Sequence, residues 1–230
     1  MLAACAGNKT VPAVDSASST SVPASVSPQA PSKKADAEHG QQTYAAIVER
    51  IKARSYPEDF TLLRMQYTKT DLYQPFDTGE RDQTRQLFEA LDGSDLKRCV
   101  ALADTILGRN FTSIAAHMGA AICHGRLGEE DLQQMHAGIY DGLINSIAST
   151  GSGSSPKTAF MVINTDEIYS FLQAQDLEVV NQALVHADGK EYDLMTVKDP
   201  RTGRQYGVYF DISTEQMYFA KKMRDPGKAK

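Results

Sequence analysis

Apolar side chains recur every three or four residues from residue 38 to about residue 150, the spacing typical of helices with one buried face. Six such stripes are separated by short polar breaks, and the last stripe is the clearest. Its apolar positions are Leu132, Met135, Ile139, Leu143 and Ile147. The sequence therefore predicts a helical region over residues 38–150.

The pattern changes at the Gly/Ser-rich run of residues 151–155, which ends the last helix. Residues 159–163 form a continuous apolar run that indicates a buried strand, and Thr165 can begin a short helix. Asp188-Gly189 is a strong hairpin signal between two further apolar stretches, and a third follows around Phe210. Residues 151–224 thus predict a small β-α-β-β-β module with a short last helix. This module is too small to be stable alone and is expected to pack on the helices, which makes the fold class α+β.

The fourth and fifth predicted helices form a short antiparallel pair. Small side chains mark their close approach, at Ala115, Ala116, Gly119 and Ala120. The pair resembles a tetratricopeptide unit, although the chain has no Trp and lacks a clear second copy about 34 residues away. We interpret the helical region as repeat-like and not as an array.

Both ends of the chain have a composition that disfavours folding. Residues 6–37 are mostly Ser, Ala, Pro, Val and Thr, without an aromatic residue, Leu or Ile. Such a segment buries too little apolar surface to offset its chain entropy, so it is predicted to be a disordered tether. Residues 225–230 are predicted to be a disordered tail. The remaining roughly 190 residues can form one sizeable core or two small ones.

Ahead of this tether, Leu2-Ala3-Ala4-Cys5 resembles the lipobox of bacterial lipoproteins. In that family the Cys thiol is acylated and the peptide bond before it is cut, so the resemblance implies a lipid anchor at Cys5. Ala6, where Asp would favour retention, implies sorting to the outer membrane. Residues 1–5 lack the apolar stretch of a secretory signal, and we expect the true signal to begin further upstream. A chance tetrapeptide is the alternative.

Charge and motifs exclude several function classes. The net charge is −5 with both signs mixed along the chain, so a nucleic-acid partner is not expected. A phosphate-binding loop and a dinucleotide fingerprint are both missing, and no cofactor is predicted. The Gly/Ser run does not have the order of a nucleophile elbow, so a catalytic serine is not expected there.

Three histidines are candidate metal ligands. His117 and His124 are seven residues apart, two turns of one helix, whereas ligands on one helix usually lie three or four apart. No metal site is predicted. Instead, His117 and His136 are expected to be polar groups in the packing, with a ring nitrogen bonded to a carbonyl or a carboxylate.

Two cysteines lie symmetrically about a predicted turn. Cys99 and Cys123 are each twelve positions from Phe111, so an antiparallel helix pair would hold them at the same height. Export would favour a disulfide between them, and the alternative is a pair of buried thiols. Several tyrosines and one aspartate are candidates for either an interface or structural hydrogen bonds, namely Tyr67, Tyr73, Tyr209 and Asp211.

From about residue 44 onward the chain resembles an uncharacterised bacterial family, the domain-of-unknown-function family four-nine-one-nine. The resemblance rests on short motifs: Leu63-Arg64 with Tyr67, Tyr73 with Pro75, Ala116-His117, His136 with Gly142-Leu143 and Ile147, the Gly/Ser run leading to Ala159-Phe160, Tyr192-Asp193, and Tyr209-Phe210-Asp211. It implies an exported, often lipid-anchored protein in two parts. It implies no activity.

The leading hypothesis is a non-catalytic lipoprotein of the bacterial envelope. It would be anchored in the outer membrane, face the periplasm, and present its helices to a protein partner as a scaffold. One alternative is a hydrolase of cell-wall or surface polymers that uses Asp193, Asp211 and His186 as its acid–base set. Another is a small-ligand-binding protein that uses the groove between helices and sheet.

Overall fold

The computed structural model describes residues 33–54 and 59–224, and within them the chain is an α+β protein, as the sequence predicts. Six helices come first. They are α1 (Lys33–Lys52), α2 (Phe60–Tyr67), α3 (Thr78–Asp92), α4 (Leu96–Arg109), α5 (Ile114–Leu127) and α6 (Glu130–Ala148). The sheet module follows. It contains a short 3₁₀ helix (Pro156–Thr158), β1 (Phe160–Met161), α7 (Thr165–Ala174), β2 (Glu178–Ala187), β3 (Lys190–Lys198), β4 (Gln205–Asp211) and α8 (Ser213–Arg224).

Local sequence signals set where several helices begin. The side chains of Asp59, Asp77, Asp95 and Asn164 accept a hydrogen bond from a first-turn backbone N–H, at the starts of α2, α3, α4 and α7. Each cap satisfies a backbone donor that has no partner within its own helix. Gly128 ends α5 in the left-handed region at φ 78°, where a side chain would be strained.

The four strands form one mixed sheet in the order β1-β4-β3-β2. β2, β3 and β4 are antiparallel neighbours, whereas β1 pairs in parallel with β4, with Phe160 opposite Phe210. Asp188 and Gly189 form the β2–β3 turn, and both have positive φ, 51° and 76°, which is the backbone that a tight hairpin requires. β1 has two residues where the apolar run predicted about five, because the chain turns into the Asn164 cap of α7 soon after it.

The core is continuous between the helices and the sheet. Leu63, Leu143 and Ile147 from the helices belong to the same buried cluster as Ile168 and Phe210 from the module. One buried ion pair crosses this core, between Arg64 of α2 and Glu167 of α7, whose side chains are 0% and 2% exposed. The two parts of the described fold therefore share one interior.

Some predictions fall on residues outside the described ones. These are the signal remnant of residues 1–5 with Cys5, most of the tether, and the tail of residues 225–230. The predicted boundary of the tether at residue 37 differs from the structure, since α1 already begins at Lys33. Lys, Ala and Glu are favourable helix formers, and residues 33–38 are rich in them. In the part of the chain that is described, no helix has the length and apolar character needed to cross a membrane.

Candidate functional site

The two histidines predicted to be packing groups lie against each other inside the helical part. His117 Nδ1 and His136 Nδ1 are 2.9 Å apart, and His117 Nε2 is 3.0 Å from the carbonyl oxygen of Phe111. Because a carbonyl only accepts, His117 carries its proton on Nε2, and His136 donates from Nδ1. Burial lowers the pKa of His117 to about 3 and that of His136 to about 4, so both rings are neutral at physiological pH.

The third histidine extends this cluster without forming a metal site. The His124 ring is stacked on His136 with 5.5 Å between ring centres, and its Nδ1 lies 2.5 Å from Glu129 Oε2. Within residues 33–54 and 59–224, no group of three or more His, Cys, Asp or Glu side chains could hold a metal ion.

Cys99 of α4 and Cys123 of α5 are joined by a disulfide in the structure, with 6.4 Å between their Cα atoms. Both residues are fully buried. The bond links neighbouring antiparallel helices at the height that the symmetric spacing about Phe111 predicts.

Tyr67 and Tyr73 are both buried, which leaves them no surface for a partner. The Tyr67 hydroxyl donates to the carbonyl of Leu72 at 3.1 Å, and the Tyr73 hydroxyl donates to that of Ile163. Burial raises the pKa of both phenols. Tyr67 and Tyr73 therefore make structural hydrogen bonds and do not form an exposed interface.

Asp193, Asp211 and His186, the candidate acid–base set of a hydrolase, do not converge on one site. Asp193 lies opposite Phe210 in the sheet, and Asp211 lies opposite Tyr192, so the two carboxyls point to opposite faces. Asp193 accepts from Gln182 Nε2 at 2.9 Å, whereas Asp211 accepts from the Ser213 N–H at the start of α8 and pairs with Lys190. His186 is exposed on β2, and Tyr209 is half-buried on β4. Strand register, which the sequence does not show, separates Asp211 from Asp193, whereas His186 lies opposite Glu191 on the same face as Asp193.

The structure instead forms a cleft between α3, the turn joining α4 to α5, and α7, with a volume of about 360 Å³. The N-terminal ends of three helices, α3, α5 and α7, contribute to its lining. Polar groups there include Glu80, Asn110, Ser113 and Asp166, and Phe88 adds an apolar wall. Clefts of this volume with a few convergent polar groups are the usual form of small-ligand sites.

Glu80 is the best-positioned acid of this cleft. Asn110 Nδ2 donates to both of its carboxylate oxygens, at 3.0 and 3.2 Å, and the Ser113 side chain also hydrogen-bonds to it. Asn110 is itself fixed, because its Oδ1 accepts from the Thr112 N–H and hydroxyl at 3.0 and 2.6 Å. Burial raises the pKa of Glu80 in spite of these hydrogen bonds. The cleft thus holds a carboxylate whose direct partners are neutral groups.

Charged side chains of both signs form the rim. Arg81 Nε is 2.9 Å from Asp166 Oδ1, and both side chains are about half exposed, at 46% and 47%. Partial burial raises the pKa of Asp166, and Arg81 opposes this rise. Arg85 is more exposed and pairs with Glu89 at 2.6 Å. The rim therefore offers guanidinium groups next to the carboxyl of Glu80.

Next to the cleft, the start of α7 meets a second buried acid. Thr165 Oγ1 donates to the carboxylate of Glu215 on α8, at 3.1 and 3.3 Å. Burial is the main reason that the pKa of Glu215 rises to about 7, and the nearby carboxylates of Asp193 and Asp166 raise it further. This acid is 4% exposed, so it does not line the cleft surface.

Sequence reasoning did not single out Glu80, Asp166 or Glu167. Glu80 and Glu167 occupy the third position of helices capped by Asp77 and Asn164, the pattern of an ordinary capping box. In the structure neither acid makes that reciprocal contact, because Glu80 turns to Asn110 and Glu167 to Arg64. In the sequence, therefore, Glu80 and Glu167 have the pattern of helix-capping residues, and this pattern does not point to a ligand site.

Comparisons with known proteins give a family and no activity. A family model described as "Domain of unknown function (DUF4919)" matches residues 33–221. No curated protein and no solved structure matches the chain.

Proposed function

Since the chain belongs to the DUF4919 family, whose description assigns no function, we propose a function from the cleft itself. The protein is a non-catalytic binding protein that holds a short peptide segment, or a small molecule with a similar amino group, between α3, α5 and α7. The observation that carries this proposal is Glu80, a carboxylate inside a 360 Å³ cleft whose hydrogen-bond donors are neutral side chains.

The position of Glu80 favours a cationic ligand group. A carboxylate that is partly removed from water is stabilised most by a positive charge, and Asn110 and Ser113 supply only dipoles. An ammonium group placed against Glu80 would lower its raised pKa, so binding should release protons near the ordinary pKa of a Glu.

The remaining walls fit the rest of a peptide. Arg81 and Arg85 at the rim can hold a carboxylate or peptide carbonyl, while Phe88 offers apolar contact. Groups of both signs in one cleft suit a ligand that carries both an amine and an acceptor.

We further propose that this binding protein is an exported lipoprotein that faces the periplasm from the outer membrane. The lipobox-like sequence before Cys5 supports an anchor, and the buried Cys99–Cys123 disulfide supports an oxidising compartment. The successive packing of α3, α4, α5 and α6 supports a tetratricopeptide-like surface that would also act as a scaffold for a protein partner.

Calorimetric titration tests the binding role with defined tripeptides. With all three N-termini acetylated, Ala-Lys-Ala should bind more tightly than Ala-Leu-Ala or Ala-Glu-Ala, because only its side chain then brings an ammonium to Glu80. Glu80→Gln keeps the Asn110 hydrogen bond but removes the charge, and it should weaken Ala-Lys-Ala binding about tenfold or more. Glu130→Gln, an exposed acid of α6, is the matched control and should change nothing. Equal affinity of all three tripeptides, or of both variants, would count against the proposal.

The raised pKa of Glu80 and Asp166 favours a second candidate, a hydrolase of cell-wall polymers that uses these two acids. Incubation with purified cell wall distinguishes the two functions. A hydrolase would release soluble fragments, and Glu80→Gln would abolish the release. A binding protein would release none at any protein concentration.

A further inference from the structure

Strand β2 lies at one edge of the sheet and is hydrogen-bonded on one side only. Within the described residues its one strand neighbour is β3, and no other backbone group hydrogen-bonds to residues 178–187. β2 is also long, with ten residues, whereas a typical strand has about five or six. Its outer row of N–H and C=O groups is therefore a template on which another strand can pair.

The side chains of β2 are uncovered on both faces of the sheet. Eight of its ten residues are exposed, and only Val185 and Ala187 are partly buried. Leu184 is 61% exposed and Val180 is 51% exposed. Apolar and β-branched side chains are enriched in strands because they pack there against neighbours, and on β2 these neighbours are missing.

Most of the features that prevent pairing at an edge are absent from this strand. Residues 178–187 contain neither Lys nor Pro. The one carboxylate among them, that of Glu178, pairs with Lys198 of β3 at 3.5 Å. A bulge at Val180 interrupts the register with β3, and it limits the regular edge to residues 181–187. This edge carries no Asp, Glu, Lys or Arg.

Residues 181–187 are complementary to themselves in the antiparallel direction. With a two-fold axis at Leu184, the two copies of this leucine lie opposite each other, about 4.5–5.5 Å apart at Cα. Gln182 of each copy then lies opposite His186 of the other, on the same face as Leu184, and Ala183 lies opposite Val185 on the other face. Like charges do not meet in this register, and the most exposed leucine of the strand gains an apolar neighbour.

A second copy fits this edge better than a foreign peptide does. A peptide added to a sheet edge gains specificity from pockets that hold its alternate side chains, and the open faces of β2 form no such walls. A second copy brings its own α7 as a cover. The Tyr169 hydroxyl of α7 donates to Gln182 Oε1 at 2.9 Å, and this tyrosine is 45% exposed. In the dimer the two Tyr169 rings flank the paired leucines.

We propose that residues 181–187 of β2 pair antiparallel with the same residues of a second copy of this chain. The pairing joins two four-stranded sheets into one sheet of eight strands. The dimer is closed, because each copy contributes the same edge. The inference does not depend on a ligand in the cleft between α3, α5 and α7.

Sedimentation velocity tests the inference with the full chain carrying Cys5→Ser, which removes acylation and a stray thiol. We expect a dimer whose fraction rises with concentration. Leu184→Lys places two ammonium groups opposite each other at the axis and should raise the dissociation constant about tenfold or more. Leu132→Lys, at a leucine of α6 that is 40% exposed, is the matched control and should dimerise like the parent. Both variants should keep the circular dichroism of the parent, since both leucines are exposed.

Crosslinking tests the register in the same Cys5→Ser chain. Leu184→Cys should form a covalent dimer on oxidation with diamide, because residues directly opposite across the axis lie within the Cα range of a disulfide. Glu178→Cys is the control on the same strand, where the register leaves the two thiols about 40 Å apart. A monomer at all concentrations up to about 0.1 mM, where weak interfaces still associate, would overturn the inference. A dimer that Leu184→Lys does not weaken, or equal crosslinking at positions 178 and 184, would also overturn it.

Discussion

Arg64 and Glu167, 103 residues apart in the chain, form a buried bidentate ion pair at 2.7 and 2.6 Å. Arg64 also donates to the Ser146 hydroxyl at 3.2 Å and to the Met161 carbonyl at 2.8 Å. Glu167 also accepts from the Ile163 N–H at 2.9 Å. The pair thereby connects α2, α6 and α7 with the start of the sheet, and Glu167 is part of the cleft lining.

Breaking this pair from one side should destabilise the protein strongly. Arg64→Met leaves the Glu167 carboxylate buried with fewer partners, and we expect a loss of about 3–5 kcal/mol in the free energy of unfolding by denaturant titration. Arg64→Met combined with Glu167→Met should cost less than the sum of the two single changes, because no charge is left unpaired. Arg81→Gln, which breaks a half-exposed pair, should cost less than about 1 kcal/mol. A similar small loss for Arg64→Met would contradict this role.

Glu215 should lower stability at neutral and alkaline pH. Its folded pKa of about 7 lies above the unfolded value of 4.5, so the fold favours the protonated acid, and the protein loses stability as pH rises from 4.5 through 7. Glu215→Gln keeps an acceptor for Thr165 and should raise the free energy of unfolding by about 1–3 kcal/mol near pH 8. Near pH 4 the variant and the parent should be similar. An equal difference at both pH values would contradict the titration of this acid.

The His117–His136 pair should have the opposite effect on pH dependence, because it lowers the stability of the fold as pH falls. The pKa of His136 falls from 6.5 to about 4 in the fold, so its contribution is complete above pH 6.5 and is lost as pH falls through this range. His136→Asn can keep a donor near Nδ1 but cannot titrate. The free energy of unfolding of the parent should fall about 2–3 kcal/mol more than that of the variant between pH 6.5 and 4. Parallel pH curves for the two proteins would show that the ring is not held neutral.

Reduction of the disulfide should lower the free energy of unfolding. Cys99 and Cys123 close a loop of 24 residues, and opening a loop of this size should cost about 3 kcal/mol of unfolding free energy. Denaturant titrations with and without reductant measure the loss, and a Cys99→Ala, Cys123→Ala variant should be insensitive to reductant. Two free thiols at these positions in protein purified without reductant would contradict the bond.

The parts of this fold that the sequence predicts are those set by local chemistry. The stripe from Leu132 to Ile147 indicates α6 because one helix face is buried, and Asp188-Gly189 indicates a hairpin because its backbone requirement is local. The cleft, in contrast, is formed by residues that lie far apart in the chain. Glu80 and Asp166 come to one cleft because α3 and α7, far apart in the sequence, both contribute to its lining, and each acid lies in a helical first turn where an acid is ordinary.

The register of the sheet is another property that pattern alone does not give. The sequence pattern allows Asp193 and Asp211 to act together as acids, yet the pairing of β3 with β4 places them on opposite faces. A shift of one residue would have placed them on the same face. The family resemblance was confirmed over residues 33–221, and because that family has no assigned function, the proposal of a binding role depends on the cleft.

The central claim is that Glu80 receives the amino group of a ligand inside this cleft. Titration of Ala-Lys-Ala into isotopically labelled protein, followed by amide resonances, tests it most directly. We expect chemical-shift changes that centre on residues 80, 110–114 and 164–167 and disappear in Glu80→Gln. Shifts confined to another surface, or unchanged by that substitution, would contradict it.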